Sequence, residues 1–308
     1  MILTITANPS VDISYQIDDF KIDDVNRTDK VVKDAGGKGI HVGYVLKELG
    51  EEVVHSGFVG GVLGAYIENT LQSKGQNSRF VKIKEDTRNC IAILHDKNQT
   101  EILEKGPSIS KKEEEEFIKN LDQISKDCKF INISGSLPKG LDPSFYEKII
   151  AYAKENNKFV SVDTSGKILE AIINSDIKPD LIKPNEKEIA DVLKIEIRKE
   201  NLAGILLEKP FKDIKYIIVS LGKDGAIVKI DKKIYKASVP KVQAVNPVGS
   251  GDSSLAGAIY AISCGKNDID IIKTSMNCGL LNVLNKEIAH INIKDFDKYY
   301  QQIKVEEI

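Results

Sequence analysis

The sequence predicts a three-layer α/β fold: a mainly parallel central sheet covered by helices on both faces, with a small β-sheet lid over one end. Three observations lead there. Short β-rich apolar runs alternate with longer segments of helical period along most of the chain. Parallel neighbours need a crossover connection, which a helix supplies, and a sheet built that way is covered on both sides. Residues 11–35 and 89–104 break the series, because both carry strand-type patterning with no helix inside. Strands inserted in this manner suit a lid, since ligands bind beyond the carboxyl ends of parallel strands.

The elements follow in order. Residues 2–6 read as the first strand. Val11, Ile13, Tyr15 and Ile17, and later Val31 and Val32, give the first lid segment. Residues 40–49 place Ile40, Val42, Val45, Leu46 and Leu49 on one helical face, and Gly50 stops the helix. Residues 53–59 are a strand and 63–71 a helix, followed by a lid hairpin over 89–104 that turns at Lys97-Asn98. The charge run 111–116 mixes both signs and precedes Phe117, Ile118 and Leu121, so it starts a helix with a solvated face. Strands at 130–133, 159–162, 181–182, 214–219 and 226–230 continue the alternation, with a helix at 145–153. The last third is helical over 252–261 and 271–284.

Composition narrows the function. At about 150 residues per domain the 308 residues allow one or two domains, and with no linker-like or repeated stretch a single domain over 1–308 is expected. Lys and Arg number 44 against 46 Asp and Glu, a net charge of -2, which does not fit the basic footprint of a nucleic-acid binder. No run approaches the roughly 18 apolar residues of a membrane span, and the first residues lack a basic leader, so a cytoplasmic protein is expected. Cys90, Cys128, Cys264 and Cys278 stand far apart without metal-ligand spacing and read as reduced thiols.

Four segments carry chemistry. In Asn246-Pro247-Val248-Gly249-Ser250-Gly251-Asp252 a glycine turn opens an apolar helix, whose N-terminal amides and dipole suit an anion. Asp252 there is either a helix cap or a carboxylate that accepts a proton from an attacking hydroxyl. Gly36-Gly37-Lys38-Gly39-Ile40-His41 has the same construction with a cationic Lys38. It is not a Walker loop, since no Ser or Thr follows the lysine, and its glycine spacing is not that of a dinucleotide fingerprint. Ser220-Leu221-Gly222 with Gly225 is a glycine turn between strands. Lys183-Pro184-Asn185 with Glu188 fits a capping box as well as a site for a hydrated metal ion.

In this order, the four segments resemble the PfkB branch of the ribokinase superfamily, over essentially the whole chain. Gly249-Ser250-Gly251-Asp252 is similar to the family's anion-hole motif, Asn185 and Glu188 to its metal-linked motif, Gly36 to Gly39 to its first glycine signature, and Ser220 to Gly225 to its nucleotide turn. Asn8-Pro9-Ser10 with Asp12, Ser134-Gly135-Ser136-Leu137-Pro138 and Thr87-Arg88 resemble those of the kinases of phosphorylated ketohexoses. The strands over 87–94 and 100–107 favour tagatose 6-phosphate over fructose 1-phosphate as the sugar.

The resemblance implies a ribokinase-like fold and ATP-dependent phosphorylation of tagatose 6-phosphate to tagatose 1,6-bisphosphate. A fructose 1-phosphate kinase and a non-catalytic sugar-phosphate binder are the alternatives. It implies Asp252 as the base and the amides of Gly249, Ser250 and Gly251 as the anion hole. Asp12, Gly37, Lys38, His41 and Ser136 would grip the sugar and Arg88 its phosphate. Lys183, Asn185, Ser220, Gly222, Gly225, Gly249 and Gly251 would hold ATP, and Asn185 with Glu188 would hold Mg²⁺ through water. A homodimer through the lid is a further expectation. Two positions depart from the family: His41 stands where Asn is usual, and Ser250 where Ala is common.

Overall fold

A computed structural model describes residues 1–96, 98–197 and 199–308. The first part of the chain contains β1 (Ile2–Thr6), β2 (Ser10–Gln16), β3 (Val31–Gly36), α1 (Lys38–Glu48), β4 (Val53–Val59), α2 (Gly61–Ser73), β5 (Asn77–Ser78), β6 (Val81–Lys82), β7 (Arg88–His95) and β8 (Asn98–Leu103). The middle adds α3 (Lys111–Lys119), α4 (Leu121–Ile124), β9 (Phe130–Ser134), α5 (Ser144–Glu155), β10 (Phe159–Asp163), α6 (Gly166–Asn174), β11 (Leu181–Ile182), α7 (Glu186–Leu193) and α8 (Lys199–Leu207). The last part holds β12 (Tyr216–Ser220), β13 (Ala226–Ile230), β14 (Lys233–Ser238), α9 (Ser250–Ser263), α10 (Asp268–Val283), α11 (Phe296–Tyr300) and β15 (Lys304–Glu307).

The main sheet runs β15-β14-β13-β12-β11-β10-β9-β1-β4-β5, with β6 also paired to β4. Pairs from β5 to β12 are parallel, and β12 to β15 form an antiparallel edge. Apolar residues pack in two clusters, one per face. Phe117, Phe145, Ile149, Ile172, Ile189 and Leu206 bring α3 and α5 to α8 onto one face. Ile40, Val45, Ile67, Leu255, Ile259 and Ile272 bring α1, α2, α9 and α10 onto the other. Burial on both faces explains why β1 and β4 are buried along their whole length.

A separate sheet of order β3-β2-β7-β8 is built from the two stretches that broke the alternation. Its β7–β8 pairing is the expected hairpin, although Lys97 of its turn lies outside the described residues. The charge run does start a helix, α3, with Ser110 and Glu113 in a reciprocal capping box. Helices α1, α2, α9 and α10 begin two or three residues earlier than the apolar period indicates, α1 at Lys38 and α9 at Ser250. In α1 and α9 a glycine of positive φ, Gly37 (113°) or Gly249 (80°), turns the chain into the helix. The sequence reading omitted β14 and β15, which lie at the sheet edge with exposed polar positions and so lack the apolar run that marks a central strand.

Helix α9 is buried through most of its length because α10 crosses it at Gly257. A Cβ there would stand 2.7 Å from the Thr274 carbonyl oxygen and 2.8 Å from Cys278 Sγ. Gly257→Val is expected to cost about 1–3 kcal/mol through overpacking. Calorimetry should read a melting temperature several degrees lower, and an unchanged one would contradict the close crossing.

Candidate active site

The carboxyl ends of β1, β9, β10, β11 and β12 open on one edge of the main sheet, where α1 and α9 also begin. Gly249 caps α9 in the left-handed region, so Asp252 is the third helical residue and makes no cap bond. The cap alternative for Asp252 therefore does not hold. Its carboxylate, buried with the side chain 10% exposed, reaches across to α1, where Oδ2 lies 3.1 Å from His41 Nδ1. The Ser250 amide donates to the Pro247 carbonyl at 3.2 Å. Gly251 and Asp252 present first-turn amides, which have no carbonyl partner within their own helix.

Asp12 belongs to the second sheet. Its carboxylate lies directly over Gly36, where a Cβ would fall 2.0 Å from Asp12 Cγ. Ser10 Oγ donates to Asp12 Oδ1 at 2.6 Å, and His41 Nε2 stands 3.4 Å from Asp12 Oδ2. His41 thus joins the carboxylate of the second sheet to that of α9. Burial by itself pulls the imidazole down, but the bonds and charges of Asp12 and Asp252 outweigh it and push it up to about 10.

Asp163, the last residue of β10, was not singled out from the sequence. It is buried and faces two ammonium groups, Lys38 and Lys183, each at 3.7 Å. The Asp163 charge is the main influence raising the Lys38 ammonium, with Asp252 and Glu188 adding to it, so these groups share one field. The available signal was position: a carboxylate ending a central parallel strand points at the ligand edge. Lys183 Nζ would lie 3.2 Å from a Cβ on Gly251, which places this cation beside the first turn of α9.

On the other side of Lys183, Asn185 and Glu188 form the reciprocal capping box, Asn185 N to Glu188 Oε2 at 2.9 Å and Glu188 N to Asn185 Oδ1 at 2.8 Å. Asn185 also bridges to Ser220, whose amide donates to the Pro184 carbonyl at 3.1 Å. The glycine turn after β12 therefore sits beside this helix start. Gly225 is fixed by packing, since a Cβ would lie 2.0 Å from the Ala237 carbonyl oxygen, whereas Gly222 faces open space. Among the described residues no group of three or more His, Cys, Asp or Glu could hold a metal ion. One carboxylate beside an Asn nevertheless suits Mg²⁺, which keeps several waters and binds mostly to phosphate oxygens.

Ser136 and Arg88 lie at the margin. Ser136 is exposed in the loop after β9, next to Gly135, whose amide donates to the Asp163 carbonyl at 2.9 Å. Arg88 pairs in register with Ser10, and its guanidinium donates to the carbonyls of Glu104 (2.9 Å) and Asn8 (3.1 Å). Its Nε is buried without a partner.

Residues 5–294 match the profile of the pfkB family carbohydrate kinases. The chain is 46% identical to the tagatose-6-phosphate kinase of Staphylococcus epidermidis over 310 aligned residues, covering 100% of both proteins. Among solved structures, phosphofructokinase-2 of Escherichia coli in complex with fructose-6-phosphate superimposes with a TM-score of 0.88 at 22% identity, over 97% of this chain and 98% of that one. Ribokinase of Arabidopsis thaliana complexed with ribose and ATP does so with a TM-score of 0.76 at 19% identity, over 97% and 98%. These two likenesses show a ribokinase-like fold. With the profile spanning nearly the whole chain and a full-length relative at 46% identity, this chain belongs to the pfkB family of carbohydrate kinases.

Proposed function

We propose that the enzyme transfers the γ-phosphoryl group of ATP to the C1 hydroxyl of tagatose 6-phosphate, giving tagatose 1,6-bisphosphate and ADP. The observation that carries this reading is the placement of Asp252, a buried carboxylate free of any capping duty at the N-terminus of a buried helix. Full-length identity to a tagatose-6-phosphate kinase supports the choice of sugar.

In this reading the hydroxyl oxygen bonds to the γ-phosphorus as the bond to the β–γ bridging oxygen breaks, and the hydroxyl proton passes to Asp252. The amides of Gly249, Ser250 and Gly251 receive the charge on the migrating group. Ser250 contributes less, since its amide already reaches Pro247. Lys183 adds a cation beside them. Asp12, Gly37, Lys38 and Ser136 hold the sugar, with His41 beside them between Asp12 and Asp252, and Arg88, oriented by two carbonyls, meets the 6-phosphate. Lys183, Asn185, Ser220, Gly222 and Gly225 line the ATP side, with Asn185 and Glu188 holding Mg²⁺ through water. When bound, that ion neutralises phosphate charge.

The chain acts in this reading as a single domain with the second sheet as its lid. Val32, Ile102 and Leu103 are exposed apolar residues of that sheet, which supports pairing with a second copy there. ADP release with Mg-ATP tests the substrate. The kcat/KM for tagatose 6-phosphate should exceed that for fructose 6-phosphate and fructose 1-phosphate by about tenfold or more. A preference for fructose 1-phosphate would replace the sugar, and no turnover of any of the three would overturn the reading.

A further inference from the structure

Both ring nitrogens of His41 face a carboxylate oxygen, Nδ1 toward Asp252 at 3.1 Å and Nε2 toward Asp12 at 3.4 Å. A neutral imidazole has one N–H, so one of the two contacts would set a lone pair against an anion. Between two ionised carboxylates, only the doubly protonated ring satisfies both. Asp12 is then held on each oxygen, by Ser10 and by His41, and Asp252 keeps Oδ1 outside the bridge.

We propose that His41 is a positioning residue which, as an imidazolium, clamps the sugar-facing carboxylate of Asp12 and the proton-accepting carboxylate of Asp252 in one geometry, so that catalytic efficiency falls when the ring loses its proton. The inference rests on the reading of Asp252 as the base. Without the positive ring the two carboxylates would repel each other, and both substrates are themselves anions.

The surroundings offer no competing partner. Of the elements packed against α1, β1 and β9 carry no titratable side chain. From β4 comes His55, bonded to Thr4 and Gln76 and pushed down to about 4 chiefly by burial. Strand β3 brings the exposed Lys33, and Asp34, which is turned to Tyr44 and Lys74. Helix α9 brings Asp252 and also Tyr260, which lies by Cys264. On α1 itself Lys38 leans to Asp163 while sharing the field of Asp252, Tyr44 turns to Asp34, Glu48 to His290, and Lys47 is exposed. The raised value near 10 for His41 agrees with the two-carboxylate geometry.

The protein has four histidines, so side-chain ¹⁵N NMR of the full chain can follow each ring. One ring, absent from the spectrum of His41→Asn, should remain doubly protonated up to about pH 9, and Asp252→Asn should lower its titration by about one unit or more. A single neutral tautomer of that ring near pH 7.5, or titration at about the unperturbed 6.5, would overturn the proposal. In parallel, kcat/KM of the wild type should fall on the alkaline side between about pH 8 and pH 10.5, a limb missing from His41→Asn and His41→Gln. Both variants should show roughly tenfold lower kcat/KM near pH 7.5. The same alkaline limb in wild type and variants would overturn the role. If tagatose 6-phosphate is not a substrate, the NMR titration still judges the clamp. If it is a substrate while His41 titrates normally, the clamp alone falls.

Discussion

Asp252→Asn should lower kcat by about 10²–10⁴-fold while the protein folds normally and still binds the sugar phosphate. The amide has the size of the carboxylate but cannot take the hydroxyl proton at neutral pH. The fold should tolerate the change because the Asp252 side chain caps nothing: Gly249 occupies the cap position, and α9 is held by its burial against α1 and α10. Steady-state ADP release gives kcat, and titration calorimetry with the sugar phosphate gives binding. Retained turnover in a folded variant would sink Asp252 as base.

Gly36→Ala should separate function from stability in the second-largest effect. Gly36 ends β3 with no left-handed φ, so the backbone accepts alanine. The new Cβ would overlap the Asp12 carboxyl, at 2.0 Å from Cγ and 2.1 Å from each oxygen. Asp12 is the far end of a short side chain and can swing away, which spares the fold but breaks its contacts with Ser10 and His41. On the proposed role of Asp12 in gripping the sugar, its displacement by an ångström or more should lower kcat/KM about 10²-fold, mainly through KM for the sugar. A wild-type KM in a folded Gly36→Ala variant would show that Asp12 does not grip the sugar.

The two substitutions probe a site whose parts were unequally legible in the sequence. The glycine turns before α1 and α9 stood out because glycine most readily adopts the positive φ found at Gly37 and Gly249. Asp252 was visible as a candidate, but its two roles stayed level in sequence. A cap and a base have the same neighbours along the chain and differ only in where the carboxylate points. For Asn185 and Glu188 both readings survive, because the capping box uses one carboxylate oxygen of Glu188 and leaves the other.

The sequence by itself determined the alternation of strands and helices, the two inserted β segments and the glycine turns that start helices. Each of these depends on local periodicity or on a backbone conformation that few residues adopt. Only the tertiary structure decided that Asp163 sits between Lys38 and Lys183, and that His41 links Asp12 to Asp252. Those contacts join residues 125, 20, 29 and 211 positions apart, brought together by the crossovers that set the carboxyl ends of β10 and β11 beside the starts of α1 and α9. Charges meeting across such separations leave no pattern along the chain, since periodicity reports which face a residue occupies and not which distant residue it will face.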